Sequence, residues 1–281
     1  MNYRDVMSRH HGKSAGVIKI ILWIYSSCTF FILLYMIYHS LRPRQDILSN
    51  TFGVPEKLSF DNYIKLLVDD GFFRYFGNSV LILVVSLALL VLISSITAYG
   101  IARFNFKGKK FFRIYFLVGL MFPVQLGIVP IFQIMKQMNL INSPLSVILV
   151  SAANISMPVF MLTDFFAKLP KEIYEAAVID GAGEWTAFGK IMFPMASPVV
   201  FSVCITVSVQ IWNQFFLPLI FLQKDSAKTV PLLVVKYTKN LMNTMDSAMA
   251  ISTLSTIPIL LLFIIFSSKI LDGVTAGGVK G

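Results

Sequence analysis

Six long apolar stretches constrain the fold of this chain more than any other feature. Each has between 18 and 24 residues, the length that an α-helix needs to cross the hydrocarbon layer of a bilayer. Open strands would leave their backbone groups unpaired in lipid, so each stretch is predicted to be a helix. The predicted fold class is therefore an all-α membrane protein with six transmembrane helices. The stretches are residues 18–38, 79–99, 114–135, 145–163, 199–222 and 251–268.

Composition agrees with a membrane protein and excludes several other classes. Hydrophobic residues make up 56% of the 281 positions and charged residues 14%, whereas about a quarter of a soluble domain is charged. With 25 phenylalanines and two cysteines, the chain is neither disordered nor a disulfide-rich secreted domain. The net charge of +10 is typical of cytoplasmic loops beside anionic lipid. Nucleic acid is not predicted as a partner.

The orientation depends mainly on one short loop. Five basic residues and no acid lie between Arg103 and Arg113, which predicts that this loop is cytoplasmic. Six spans then place both termini in the cytoplasm. The predicted organisation is an N-terminal segment at 1–17, a six-span domain at 18–268 with a cytoplasmic loop at 164–198, and a cytoplasmic tail at 269–281. The long outer connection is predicted to contain a short helix at about 60–68.

Proline and polar residues interrupt the apolar stretches. Pro123, Pro130 and Pro158 remove backbone hydrogen bonds and are expected to kink their helices. The amide side chains are expected to face protein or a water-filled cavity rather than lipid. They either join helices by hydrogen bonds or line a pathway for a neutral polar solute. The pathway candidates are Gln125, Asn154, Gln210 and Asn213.

The cytoplasmic loop contains the most informative segment. Pro170 suits the first turn of a helix, Lys171–Ile179 is predicted to be helical, and Gly181 to stop it. A second helix is predicted from about 184 to 192, before Pro194 and Pro198 break the chain.

A helix of about two turns is not stable alone and must be held by packing. The small side chains of Ala176 and Ala177 would let another surface approach closely, and the acids Glu172, Glu175 and Asp180 could meet basic groups on a partner. The alternative is a helix lying on the bilayer surface, which favours basic residues on its polar face. The excess of acids favours docking to another protein.

These residues resemble a known signature. Glu175-Ala176-Ala177, Gly181, Ile191 and Pro194 match the EAA motif of binding-protein-dependent ABC importer permeases, with Phe193 where that motif usually has leucine. Other stretches point to the carbohydrate-uptake, MalG-like branch. They are residues 61–63, 78–79, 98–104, 212–215 with Pro218, and the tail 273–281.

The resemblance implies a type I importer permease of the MetI-like fold, in which the short loop helix is the coupling helix. It implies docking on a cytoplasmic ATPase through Glu172, Glu175, Ala176, Ala177, Asp180, Gly181 and Ala182. It further implies two ATPase subunits, a second permease in a heterodimer, and an extracytoplasmic binding protein that delivers a sugar. ATP and Mg²⁺ would be bound by the ATPases, and no cofactor or metal by this chain, in the bacterial cytoplasmic membrane. A homodimer stays open.

An enzymatic role is not predicted. The sequence contains no phosphate-binding loop after a strand and no placeable set of nucleophile and base. The chain is therefore predicted to be a non-catalytic subunit. The alternative function is an ATP-independent secondary carrier or channel for a neutral polar solute, which would show inverted repeats or an ion-coupling residue within a span. Neither is found in the sequence.

Overall fold

The computed structural model describes the backbone of residues 3–55 and 57–278, and the side chains of residues 16–55 and 57–266. This part of the chain is helical and contains no strand. The α-helices are α1 (Tyr3–Ser40), α2 (Arg44–Ser49), α3 (Asp61–Ile64), α4 (Phe72–Arg103), α5 (Lys109–Gly119), α6 (Ile128–Gln137), α7 (Pro144–Ala152), α8 (Ser156–Lys168), α9 (Lys171–Ile179), α10 (Glu184–Ala187), α11 (Phe193–Met195), α12 (Ser197–Trp212), α13 (Phe216–Phe221), α14 (Val230–Thr238) and α15 (Leu241–Gly278).

Four described segments are long and apolar enough to cross a membrane, and two bent helix pairs bring the number to six if each counts as one span. The result confirms the all-α membrane fold. The four are Gly16–Ser40, Phe72–Arg103, Pro144–Lys168 and Leu241–Phe266, and the bent pairs are Lys109–Gly119 with Val124–Gln137 and Glu184–Met195 with Ser197–Trp212.

Prolines determine where the helices break. A proline inside a helix clashes with the carbonyl four residues earlier, and three breaks lie at that distance. α5 ends at Gly119, four residues before Pro123, and the chain turns through 94° before α6. Asn154, four residues before Pro158, lies in the break between α7 and α8. Gln214, four residues before Pro218, lies in the break between α12 and α13. The interruptions expected from Pro123 and Pro158 are confirmed. The kink expected at Pro130 is absent, because Pro130 lies in the first turn of α6, where proline removes no helical hydrogen bond.

The fifth stretch differs from its prediction. An uninterrupted helix was expected over 199–222, but α12 ends at Trp212 and α13 begins at Phe216. Besides the clash that Pro218 would cause, the side-chain oxygen of Gln214 accepts a hydrogen bond from the backbone N–H of Phe216 at 3.1 Å. This bond caps α13 and makes the interruption a specific local structure.

The chain divides into two compact units, the first of which comprises the residues up to Asp70 together with Lys236–Leu254. α3 and a π-helical turn over Lys65–Asp69 confirm the predicted short outer helix. Nearby, the fully buried Arg42 donates to Asp46 Oδ2 and to the Asn50 carbonyl, both at 2.7 Å. The hydrogen bond from Arg42 lowers the pKa of Asp46, so this carboxylate is ionised at neutral pH.

The second unit comprises Gly71–Val235 and the residues from Ser255 onward. α4 packs against α7, α8 and α12 in this unit. At its start, the Asn78 amide donates to the carbonyls of Ser226 and Lys228, each at 2.9 Å. The hydroxyl of Ser79 accepts the backbone N–H of Val230 at 2.9 Å. These bonds join the N-terminal part of α4 to the loop before α14 and to the first residue of α14.

Candidate functional site

The loop after α8 folds into the predicted short helix, α9, which begins at Lys171 and ends at Ile179. Pro170 is the N-cap residue, with φ of −55° and ψ of 132°, one position before the first turn in which it was predicted. At the other end, the N–H of Gly181 bonds the Val178 carbonyl at 3.0 Å and the N–H of Ala182 bonds the Ala177 carbonyl at 2.9 Å. These two bonds are those of a Schellman C-cap.

Gly181 is required by the backbone of this cap. Its φ is +84°, a region in which an L-residue places its Cβ against the following carbonyl oxygen. A Cβ at this position would otherwise meet no heavy atom within 4 Å. The constraint is therefore conformational rather than steric crowding by neighbours, and the predicted stop at Gly181 is confirmed.

α9 presents one exposed face and one covered face. Glu172, Glu175, Ala176 and Ile179 are exposed, and their spacing of three, four and seven residues places them on one side of a helix. This set is called the α9 outer face below. On the other side, Tyr174 is half-buried and packs against an apolar cluster of α4, α8 and α12.

The two alanines of the motif lie on different faces. Ala176 belongs to the α9 outer face, whereas Ala177 is 5% exposed. Only Ala176 is therefore accessible to a partner protein, whereas both alanines were expected to be. The small size of Ala177 lets α9 approach its own subunit.

Two large apolar side chains of this segment are strongly exposed. Ile179, on the α9 outer face, is 85% exposed, and Trp185, in α10, is 74% exposed. Asp180, at the end of α9, is exposed, while Ala182 is half-buried. An exposed apolar group on the same helix face as two acids is typical of a surface that another protein covers. Sequence reasoning missed Ile179 and Trp185 because the exposure of an apolar side chain is known only after folding.

A polar link holds α9 against the neighbouring helices. The Tyr174 hydroxyl hydrogen-bonds Glu184 Oε1, and the Tyr99 hydroxyl donates to Glu184 Oε2 at 3.4 Å. The Arg103 guanidinium lies 3.4 Å from the centre of the Tyr174 ring, a cation–π contact. The hydrogen bond to Glu184 raises the pKa of Tyr174, so this hydroxyl stays protonated at neutral pH and remains a donor.

Sequence reasoning did not assign these residues to the site. Tyr99 was noted only within the stretch 98–104, Arg103 there and as a basic residue of the cytoplasmic loop, and Glu184 only as a helix start. Tyr99 lies 85 residues from Glu184 along the chain, so no local spacing signals their contact. Tertiary packing alone brings them together.

Removal of this link is expected to loosen α9. We expect Tyr174→Phe to increase the hydrogen exchange of backbone amides 171–182 about fivefold, because a hydrogen bond to a carboxylate contributes on the order of 1 kcal/mol. The Arg103 contact with the ring would remain. Hydrogen–deuterium exchange of the purified importer measures the change. Exchange in α12 serves as the internal control, and equal exchange of α9 in the variant and the parent would contradict a holding role.

Three of the four pathway candidates lie at helix breaks. Gln125 is in the turn after Pro123, Asn154 between α7 and α8, and Asn213 just after α12, while Gln210 is on the last turn of α12. All four are exposed in the single subunit. Irregular backbone at membrane depth is tolerated where it is buried in protein or lines a water-filled cavity. Their position at the breaks is compatible with a pathway.

Among the described residues, no group of three or more His, Cys, Asp or Glu side chains is placed to hold a metal ion.

The chain resembles known proteins over most of its length. Residues 90–276 match the family of binding-protein-dependent transport system inner membrane components. The arabinooligosaccharides transport system permease protein AraQ of Halalkalibacterium halodurans is 35% identical over 89% of this chain and 91% of its own. The diacetylchitobiose uptake system permease protein NgcG of Streptomyces coelicolor is 34% identical, over 94% and 88%.

The fold also matches a solved structure. A chain of a bacterial ABC transporter that imports the acidic polysaccharide alginate superposes with a TM-score of 0.77, covering 92% of this chain and 97% of that chain at 19% identity. At this identity the likeness concerns the fold, which agrees with the expected importer architecture. Together with the sequence relatives, it shows that the chain belongs to the binding-protein-dependent transport system inner membrane components, as a multi-pass permease of the carbohydrate-uptake ABC importers.

Proposed function

We propose that this chain translocates a sugar delivered by an extracytoplasmic binding protein, and that separate ATPase subunits docked on α9 supply ATP hydrolysis. The α9 outer face, Glu172, Glu175, Ala176 and Ile179, is the observation that carries the proposal. It lies on the helix that contains the EAA residues. On the opposite side, Tyr174 packs against the transmembrane bundle and Ala177 is buried. Asp180, Gly181 and Ala182 complete the docking segment.

The physical basis of coupling is the rigidity of α9. A docked helix transmits a rigid-body movement if it does not deform in its cleft. The Schellman cap fixes its end, and the Tyr174–Glu184 bond and the Arg103 contact fix its side. Closure of the ATPase pair on ATP would then move α9 together with α4 and α8, and switch the pathway between its inward-facing and outward-facing forms.

The remaining parts of the complex follow from the same proposal. The loop at 103–113 and both termini lie in the cytoplasm, with segments 1–17 and 269–281 flanking the membrane domain. Residues 1, 2 and 279–281 lie outside the described residues. A second permease pairs with this chain as a heterodimer, ATP and Mg²⁺ are bound by the ATPases, and this chain binds no cofactor. Gln125, Asn154, Gln210 and Asn213 line the pathway.

The names of the relatives indicate which solutes to test first. AraQ and NgcG are named for arabinooligosaccharides and diacetylchitobiose, which are short oligomers of sugars. Uncharged pathway residues agree with such solutes, because amide side chains donate and accept hydrogen bonds to hydroxyl groups without requiring a charge. We therefore propose short oligosaccharides as the first class of solute to test.

Mild extraction of the tagged chain from its native membrane, followed by mass spectrometry of the copurifying proteins, tests the proposal. We expect a second six-span permease and an ABC ATPase at two copies per complex. A chain that comes out alone or as a homo-oligomer, under conditions that keep a reference importer intact, would refute the docking proposal. The ATP-independent carrier would then be the better explanation.

A further inference from the structure

A cavity of about 310 Å³ lies between α4, α5 and α8, within the second unit. Ile101, Phe116 and Val159 form its apolar floor, and each is at most 9% exposed. Phe111, Ile114 and Leu117 of the same helix, α5, are exposed. Exposed apolar groups on a transmembrane helix face lipid or another membrane subunit, so the cavity is reached from the membrane side.

The rim of the cavity has unbalanced positive charge. Lys110 and Arg113 line it, and their spacing of three places them on one face of α5. Neither forms an ion pair or side-chain hydrogen bond with another described residue. α5 begins at Lys109 with no acid in its first turn and no side-chain cap, so basic residues meet the positive end of the helix dipole. An anion would relieve this repulsion.

Thr163 also lines the cavity, but its Oγ1 is itself buried. Its hydroxyl therefore supplies no contact to a ligand in the cavity. Asp164 also lines the cavity, but its Oδ2 pairs with Lys168 Nζ at 2.7 Å.

We propose that this cavity binds one phospholipid with an anionic headgroup. Its phosphate lies between Lys110 and Arg113, and the start of one acyl chain covers the exposed lining residues Ile114, Leu117 and Phe160. Basic pockets between transmembrane helices are a recurring way to hold anionic lipids. The exposed apolar lining distinguishes a lipid from a free phosphate ion, which would gain nothing from covering it.

The position of the site relates it to coupling. α8 forms one wall and ends at Lys168, two residues before Pro170 and α9. A lipid that joins α5 to α8 would therefore stiffen the support of the docking helix. In the proposed orientation the lipid belongs to the cytoplasmic leaflet, although binding itself does not depend on that orientation.

Native mass spectrometry of the intact importer, titrated with phosphatidylglycerol, tests the proposal. We expect the parent to retain one phosphatidylglycerol per copy of this chain, and Lys110→Gln/Arg113→Gln to weaken retention roughly tenfold or more. Lys107→Gln/Lys136→Gln is the matched control, because it removes the same charge from exposed residues outside the cavity.

Three outcomes would overturn the lipid site. The first is equal loss of phosphatidylglycerol in the control variant, which would indicate general attraction. The second is displacement by inorganic phosphate or glycerol phosphate at concentrations comparable with the lipid, which would indicate a site for a free phosphate. The third is unchanged retention in Lys110→Gln/Arg113→Gln. Each can occur while the ATPase still copurifies, so failure here is distinct from failure of the proposed function.

Discussion

Ala176→Trp is expected to abolish ATP-driven uptake and to release the ATPase, while the chain still reaches the membrane. Ala176 lies on the α9 outer face and is exposed, so an indole there does not disturb the packing of its own subunit. It would instead hold the partner surface away from α9. A central interface contact contributes about 2 kcal/mol or more, which predicts a weakening of ATPase association of roughly 30-fold or more. Pull-down of the ATPase and uptake into proteoliposomes measure both effects.

Two variants separate docking from folding. Ala176→Ser keeps the small size and is expected to retain uptake. Ala177→Trp is expected to lower the thermal stability of the permease, because Ala177 is 5% exposed and overpacking a buried site costs about 1–3 kcal/mol. Loss of uptake in that variant therefore does not report on docking. Full ATPase association in Ala176→Trp would refute the docking role of the α9 outer face.

The apolar stretches and the prolines make much of the fold predictable. Stretches of about 20 apolar residues leave a helix as the practical solution in lipid. The clash of a proline with the carbonyl four residues earlier explains why α5 stops at Gly119, given Pro123. The same reasoning applied to Pro218 predicts the break after Trp212, which the apolar pattern of residues 199–222 alone does not reveal.

The site was predictable only where its cause is local. Pro170 and Gly181 bound α9 through their own backbone preferences, so both ends follow from the sequence. Which alanine faces a partner depends on how α9 is rotated against α4 and α8, and that rotation is set by tertiary contacts. The bond between Tyr99 and Glu184 joins residues 85 apart, and neither residue type indicates the other. Local chemistry therefore predicts the helix, and packing determines its faces.

Gly181→Val compared with Gly183→Val isolates the contribution of the helix cap. Both glycines have open space where a Cβ would stand, but Gly181 has φ of +84° and Gly183 has φ of −73°. A left-handed conformation costs an L-residue about 1–2 kcal/mol, and a β-branched residue there is a genuine outlier.

Gly181→Val is therefore expected to unwind the C-cap of α9 and to displace Asp180 and Ala182. Uptake is expected to fall about tenfold. Valine at 183 suits the extended backbone at that position and is expected to leave uptake within about twofold of the parent, since it introduces no such strain. Uptake into proteoliposomes, normalised to the amount of assembled complex, measures both variants. Equal uptake by the two would mean that the left-handed cap does not set the position of the docking helix, and that coupling depends on the side contacts of α9 instead.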